Sequence, residues 1–238
     1  MRTAKTVLTV IQERGKQKKP IERVYKLLFN RELYLNAYAK LYPNNGAMTK
    51  GVTDETVDGM SIQKIDRMIE ILREEKYQWK PARREYIKKK NGKKRPLGIP
   101  VWGDKVLQEV MRQILEAYYE PQFSEHSHGF RPNRGCHTAL QEIQVWKGTR
   151  WFIEGDISQY FDTIDHKILL EILARNIHDG RFIRLVSNML EAGYLEEWKF
   201  NQTISGVPQG GAATHGVSVG QMIEHERFGM GEVVRLEG

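Results

Sequence analysis

The dipeptide Asn91-Gly92, set between "REYIKKK" and "KKRPLGI", constrains this chain more than any other short stretch. A two-residue hairpin turn needs positive φ at both central positions, and Asn-Gly meets that need best. The pair predicts an antiparallel β-hairpin over residues 84–99. From Arg83 to Arg95, eight of thirteen residues are basic and only Glu85 is acidic. Lysine along an exposed edge protects against strand-to-strand aggregation, so a solvated structural role exists. Eight cations on one finger exceed that need, and phosphates relieve their mutual repulsion most simply. Lys88, Lys89, Lys90, Lys93 and Lys94 are the candidate nucleic-acid contacts.

The wider charge pattern agrees. Residues 1–100 carry 24 Lys/Arg against 11 Asp/Glu, whereas residues 101–238 carry 13 against 19. A basic first half points to a polyanion partner there and to something different in the second half. The single cysteine, Cys136, leaves no internal disulfide and no cysteine-built zinc site. No stretch approaches the length needed to span a bilayer. Charges crowd both sides of the short apolar run near the N-terminus, unlike a secretory signal. These features lead to the expectation of a soluble, cytoplasmic protein in a reducing compartment that does not use a membrane.

The remaining pattern is mostly helical. Residues 20–41 read as one or two helices, with Pro20 in a first turn and Val24, Leu27, Leu28, Leu35 and Tyr38 at helical spacing. A polar loop over 42–60 follows. Ser61 then caps a helix whose Ile62, Ile65, Ile69 and Leu72 are expected in the core. Residues 104–119 form an amphipathic helix through Val106, Leu107, Val110, Met111, Ile114, Leu115 and Tyr118. The loop 124–140 holds His126, His128 and His137, but no paired cysteines or helical His pair, so metal binding is not expected there. Arg131 and Arg134 are the better candidates, as phosphate contacts. A strand is expected over 151–157, then a helix capped by Asp165, a helix near 179–192, and strands within 194–211. Two short strands around a glycine turn are expected in the tail.

Asp156 closes the strand in "WFIEGDISQYFDTIDH", with Asp162 and Asp165 close behind. Carboxylates at a strand end suit Mg²⁺, which takes one or two of them together with substrate phosphates. Two such ions roughly 3.5–4 Å apart activate a hydroxyl and stabilise a leaving group. Spaced aspartates are also common as caps and surface charges, so spacing alone leaves the metal, a lysine or water open as their partner.

The blocks taken in order are more specific. "NRELYLNAYAKLYPNNGAMTKGVTDETVDG" resembles the N-terminal extension of group II intron-encoded reverse transcriptases, also called maturases. "KKKNGKKRPLGIP", "HSHGFRPNRGCHTAL", "FIEGDISQYFDTIDH" and "SGVPQGG" are similar to the first, second, third and opening fourth reverse-transcriptase blocks of that family. The resemblance runs from about residue 24 to Gly211.

That resemblance implies an α+β fold: a helix-rich reverse-transcriptase fingers region with a basic β-hairpin and an incomplete antiparallel palm sheet. It divides the chain into an N-terminal extension (1–60), fingers (61–150), partial palm (151–211) and an atypical tail (212–238). The activity it implies is copying RNA into DNA with Mg²⁺ and deoxynucleotides, and assisting an intron to splice. Partners would be the intron RNA, an RNA template with its DNA primer, and deoxynucleotide triphosphates. Asp156 would be the first catalytic carboxylate and a metal ligand, and Ile157 would give a backbone carbonyl to the metal. Lys89 and Arg95 would hold the triphosphate, Phe161 would exclude a 2′-hydroxyl, and Gln209 would pack near the nucleotide sugar. The family's second carboxylate pair lies in a Y-x-D-D turn, and no Y-x-D-D occurs in these 238 residues. The expectation is therefore a catalytically incomplete chain, with an RNA-binding module as the alternative to an enzyme.

Overall fold

The computed structural model describes residues 2–44, 46–88, 92, 94–151, 153–155, 157, 163–203, 223–225 and 229–231. In chain order these give α1 (Ala4–Lys16), β1 (Ile21–Glu22), a 3₁₀ segment (Val24–Phe29), α2 (Arg31–Leu41) and α3 (Ile62–Arg73). Next come β2 (Ala82–Lys88), β3 (Lys94–Ile99), α4 (Trp102–Tyr119), α5 (Cys136–Gln144), α6 (His166–Asn176) and β4 (Ile177–His178). The last are α7 (Gly180–Leu190), β5 (Tyr194–Glu196), β6 (Lys199–Asn201), β7 (Ile223–His225) and β8 (Gly229–Gly231). One four-stranded sheet has the order β3-β2-β5-β6, β1 pairs with β4, and β7 pairs with β8.

The core gathers around α4. Val106, Leu107, Val110, Met111, Ile114 and Tyr118 are fully buried on it, as its apolar spacing predicts. Helix α1 covers it from one side through Ala4, Ile11 and Gly15, and α2 from another through Leu33, Tyr34 and Ala37. Gly15 permits the closest approach: a Cβ built there would overlap the backbone carbonyl of Tyr118. Beyond a short apolar run, residues 4–16 carry no helical signal, and the packing of α1 on α4 is set by this contact.

Capping holds the helices as expected. Ser61 Oγ accepts from Lys64 N at 3.2 Å, and Asp165 Oδ1 accepts from Ile168 N at 3.0 Å. Asp179 goes further. It caps α7 and also accepts from the distant Tyr25 N at 2.9 Å, tying α7 to the 3₁₀ segment.

Several sequence expectations are corrected. Pro20 opens no helix; residues 21–22 form a strand parallel to β4, and the helical part of 20–41 splits into a 3₁₀ segment and α2. Ile62 is 53% exposed, and Met68 joins Ile65, Ile69 and Leu72 in the buried stripe instead. Of the strand expected over 151–157, the described residues make only an isolated bridge at Gly155. Trp151 and Ile153 are 86% and 71% exposed, so the apolar character that suggested a strand finds no covering partner among the described residues. In the main sheet the β2–β5 pairing is parallel, which makes the sheet mixed.

Asp104, on the first turn of α4, is 2% exposed. It accepts from the Tyr77 hydroxyl at 2.6 Å and from Lys80 N at 2.9 Å. Burial pushes its pKa up from 3.8 to about 6, and the two hydrogen bonds only partly offset that rise. The folded state therefore binds this proton more tightly than the unfolded state does. The stability that Asp104 contributes is complete below pH 3.8 and is lost as pH rises through about 6. Between pH 4 and pH 7 the wild-type protein should lose up to about 3 kcal/mol relative to Asp104→Asn. Denaturant unfolding of both proteins across that range measures it, and a difference independent of pH would contradict it.

Candidate nucleic-acid interface

The basic hairpin forms, but its register is one residue off the one a two-residue Asn91-Gly92 turn would set, since that turn would place Lys88 opposite Arg95. Strands β2 and β3 pair antiparallel from Arg83↔Ile99 to Lys88↔Lys94, and Gly92 takes φ +78° in the turn. Alternation sends Arg84, Tyr86 and Lys88 to one face and Arg83, Glu85 and Ile87 to the other. On the second face Arg83 is committed: Nε and Nη2 donate to the Lys50 carbonyl at 3.1 and 2.9 Å, and Nη1 pairs with Glu85. On the first face the guanidinium of Arg84 lies 3.5 Å from the ring centroid of Tyr194. Lys94 Nζ stands 5.9 Å from the Tyr86 ring. The Tyr86 hydroxyl donates to Glu196 Oε1 at 2.5 Å, and that bond raises the hydroxyl's pKa. Lys88 and Lys94 are both exposed and sit directly opposite each other on the ladder. Like charges so opposed destabilise a sheet unless an anion lies between them.

The other candidate residues are placed unevenly. Lys89, Lys90, Lys93, Asp156, Phe161 and Gln209 lie outside the described residues. Arg95 pairs with Ile87 in the ladder. Ile157 is 39% exposed and belongs to no strand. Arg131, expected on phosphate, is 8% exposed. Its Nε and Nη2 donate to Glu120 at 3.1 and 2.9 Å, and its Nη1 donates to the carbonyls of Ser124 and Ser127 at 2.5 and 2.8 Å. A guanidinium so fully engaged holds its loop closed and is not presented to an incoming phosphate. Arg134 is half-buried and donates to the Glu125 carbonyl.

The histidines of the same loop have a structural use. His126 Nδ1 and His128 Nε2 meet the two oxygens of Glu142 on α5, the latter at 2.7 Å, and His128 Nδ1 meets Thr138 Oγ1 at 2.8 Å. These bonds, led by that to His128, hold the Glu142 carboxyl below its usual range. Among the described residues no group of three or more His, Cys, Asp or Glu is arranged to hold a metal ion. Asp165, the described carboxylate nearest Asp156 on its C-terminal side, is spent on its cap. The described residues thus do not assemble a magnesium site.

Residues 87–214 match the model of the reverse transcriptase (RNA-dependent DNA polymerase) family. The chain belongs to the reverse transcriptase family. Every candidate site residue from Lys88 to Gln209 falls inside that matched span of the reverse transcriptase domain. The chain is 50% identical over 191 residues to the group II intron-encoded protein LtrA of Lactococcus lactis, across 79% of this chain and 32% of that protein. It is 46% identical over 215 residues to an uncharacterized 91 kDa protein in the cob intron of Schizosaccharomyces pombe, across 87% of this chain and 27% of that one. The chain thus spans about a third of the length of these curated relatives. A solved partial Cas6-RT-Cas1–Cas2 complex shares the fold, with a TM-score of 0.51, 18% identity, and coverage of 82% of this chain and 33% of that one. A reverse transcriptase domain implies a divalent-metal requirement.

Two features of this face escaped the sequence. In the sequence Tyr86 is only one residue of a basic finger, whereas strand alternation places it between Arg84 and Lys88 on one face. Trp198 carried no signal, because nothing local to "LEEWKF" says which side of the sheet stays open.

Proposed function

We propose that this chain is the RNA-gripping portion of a group II intron-type reverse transcriptase. Its hairpin holds structured intron RNA, and the 238 residues by themselves do not polymerise. The observation that carries this reading is the opposed, exposed pair Lys88 and Lys94 at the end of a finger rich in lysine. That arrangement is unfavourable alone and favourable against phosphate. At the level of the family the activity is copying RNA into DNA and assisting splicing. The divalent ion is magnesium, with Asp156 and the carbonyl of Ile157 as its ligands here. Lys89 and Arg95 contact the triphosphate, Phe161 selects the deoxy sugar, and Gln209 packs near it.

The test pairs two readouts on one preparation. Gel-shift titration with a structured group II intron RNA should show binding that weakens steeply between 50 and 200 mM salt. Primer extension on an RNA template with magnesium and deoxynucleotides should give no product. Extension abolished by Asp156→Ala would overturn the reading of an incomplete site, and absence of RNA binding would overturn the reading as a whole.

A further inference from the structure

Trp198 is 96% exposed, the most exposed of the large apolar side chains described. It stands at the tip of the β5–β6 hairpin, in a two-residue turn where Glu197 and Trp198 take φ of 49° and 64°. A turn with both residues at positive φ favours Asn-Gly, and a bulky aromatic there is uncommon. Here the aromatic is held out at the tip with almost none of its surface buried.

The sheet register shows what lies beside it. Strand β5 runs alongside β2, with Ala82 opposite Tyr194, and Glu196 is opposite Lys199 on β6. Directly opposed residues share a face, so Tyr194, Glu196 and Lys199 join Arg84, Tyr86 and Lys88. The Tyr86–Glu196 hydrogen bond draws the tip hairpin against the basic hairpin. Tyr86 is itself 45% exposed. On this face the cations Arg84, Lys88, Lys94 and Lys199 outnumber Glu196, whose carboxylate accepts from Tyr86.

We propose that Trp198 is a stacking platform for an unpaired base of single-stranded RNA, with Lys88, Lys94 and Lys199 contacting the adjoining phosphates. An exposed indole next to a row of cations meets both needs of such a strand: a flat apolar surface for the base and positive charge for the backbone. The complementarity of charge favours RNA over a second copy of this chain, whose own face is equally basic. The inference rests on RNA being the partner, as proposed above.

Fluorescence anisotropy of the whole chain with a labelled single-stranded RNA 12-mer provides the test. Trp198→Ala should weaken binding by on the order of tenfold, and Trp198→Phe should restore most of it. The slope of log affinity against log salt should be unchanged in both, because no phosphate contact is lost. The double change Glu197→Asn, Trp198→Gly supplies the favoured turn while deleting the ring, and it should bind as weakly as Trp198→Ala. Wild-type affinity in Trp198→Ala would overturn the proposal. So would a shift from dimer to monomer in sedimentation velocity with RNA affinity kept, which would assign the ring to a second copy. Loss of binding on lysine neutralisation, with Trp198→Ala unaffected, defeats the stacking site alone. Absence of RNA binding by the wild-type chain defeats the RNA reading along with it.

Discussion

Arg112→Met should destabilise the protein by about 3–5 kcal/mol, because it strands a buried carboxylate. Arg112 and Glu109 lie one turn apart on α4, and they are 7% and 2% exposed. The guanidinium grips Glu109 with Nε and Nη2 at 2.7 and 2.8 Å, and its Nη1 reaches Glu116. Removing the arginine leaves Glu109 in the same desolvated position with Lys40 Nζ at 3.3 Å as its remaining ion-pair partner. Lys40 is 55% exposed, and an exposed partner compensates weakly. For a chain of this size the loss corresponds to a fall in Tm on the order of 10 °C. The double change Arg112→Met, Glu109→Met should recover most of that loss, since replacing both ions with apolar groups is often close to neutral. Thermal unfolding of the three proteins checks this. A single variant as stable as the wild type, or a double variant no better than the single, would contradict it.

Replacing Lys88, Lys89, Lys90, Lys93 and Lys94 together by Ala should lower affinity for intron RNA more than any other change considered. Each phosphate contact releases about 0.7–0.9 of a counterion, so five contacts are worth on the order of 10³-fold at physiological salt. If only three of them touch phosphate, the loss is on the order of 10²-fold. The fold should survive, because the described lysines of the set are exposed and Lys88 and Lys94 oppose each other. Removing that like-charge pair should if anything steady the hairpin. Thermal unfolding alongside the binding titration separates loss of contact from loss of structure.

Much of this architecture is written locally in the sequence. Asn91-Gly92 marks a hairpin because few other residues take the positive φ of a tight turn, but it does not set the register, which places Lys88 opposite Lys94. Ser61 and Asp165 announce helix starts because a side-chain oxygen there satisfies backbone N–H groups the helix leaves free. The face of α4 is legible because burial on one side of a helix imposes a spacing. What stayed hidden depends on long-range pairing. The parallel junction of β2 with β5 joins residues 82–83 to 194–195, and no local pattern encodes it. The same holds for Gly15 against Tyr118, and for Asp179 reaching back to Tyr25.

The candidate site was legible to a similar degree. The lysines that could be placed are exposed, as their density suggested. Arg131 looked like Arg134 in sequence, but a carboxylate at Glu120 and two carbonyls enclose the one and not the other. The described part of 151–157 departs from expectation on a different ground: aromatic and apolar residues raise strand propensity, yet a strand also needs pairing along its length. Among its described residues only Gly155 forms a bridge, and Trp151 and Ile153 stay exposed.

The central claim is that the lysine hairpin grips the phosphates of RNA, and the salt dependence of binding tests it most directly. The slope of log affinity against log salt should be steep for the wild-type chain and should flatten by about 2–4 when the five lysines are replaced. Equal slopes in the two proteins would show that the hairpin does not touch the RNA backbone.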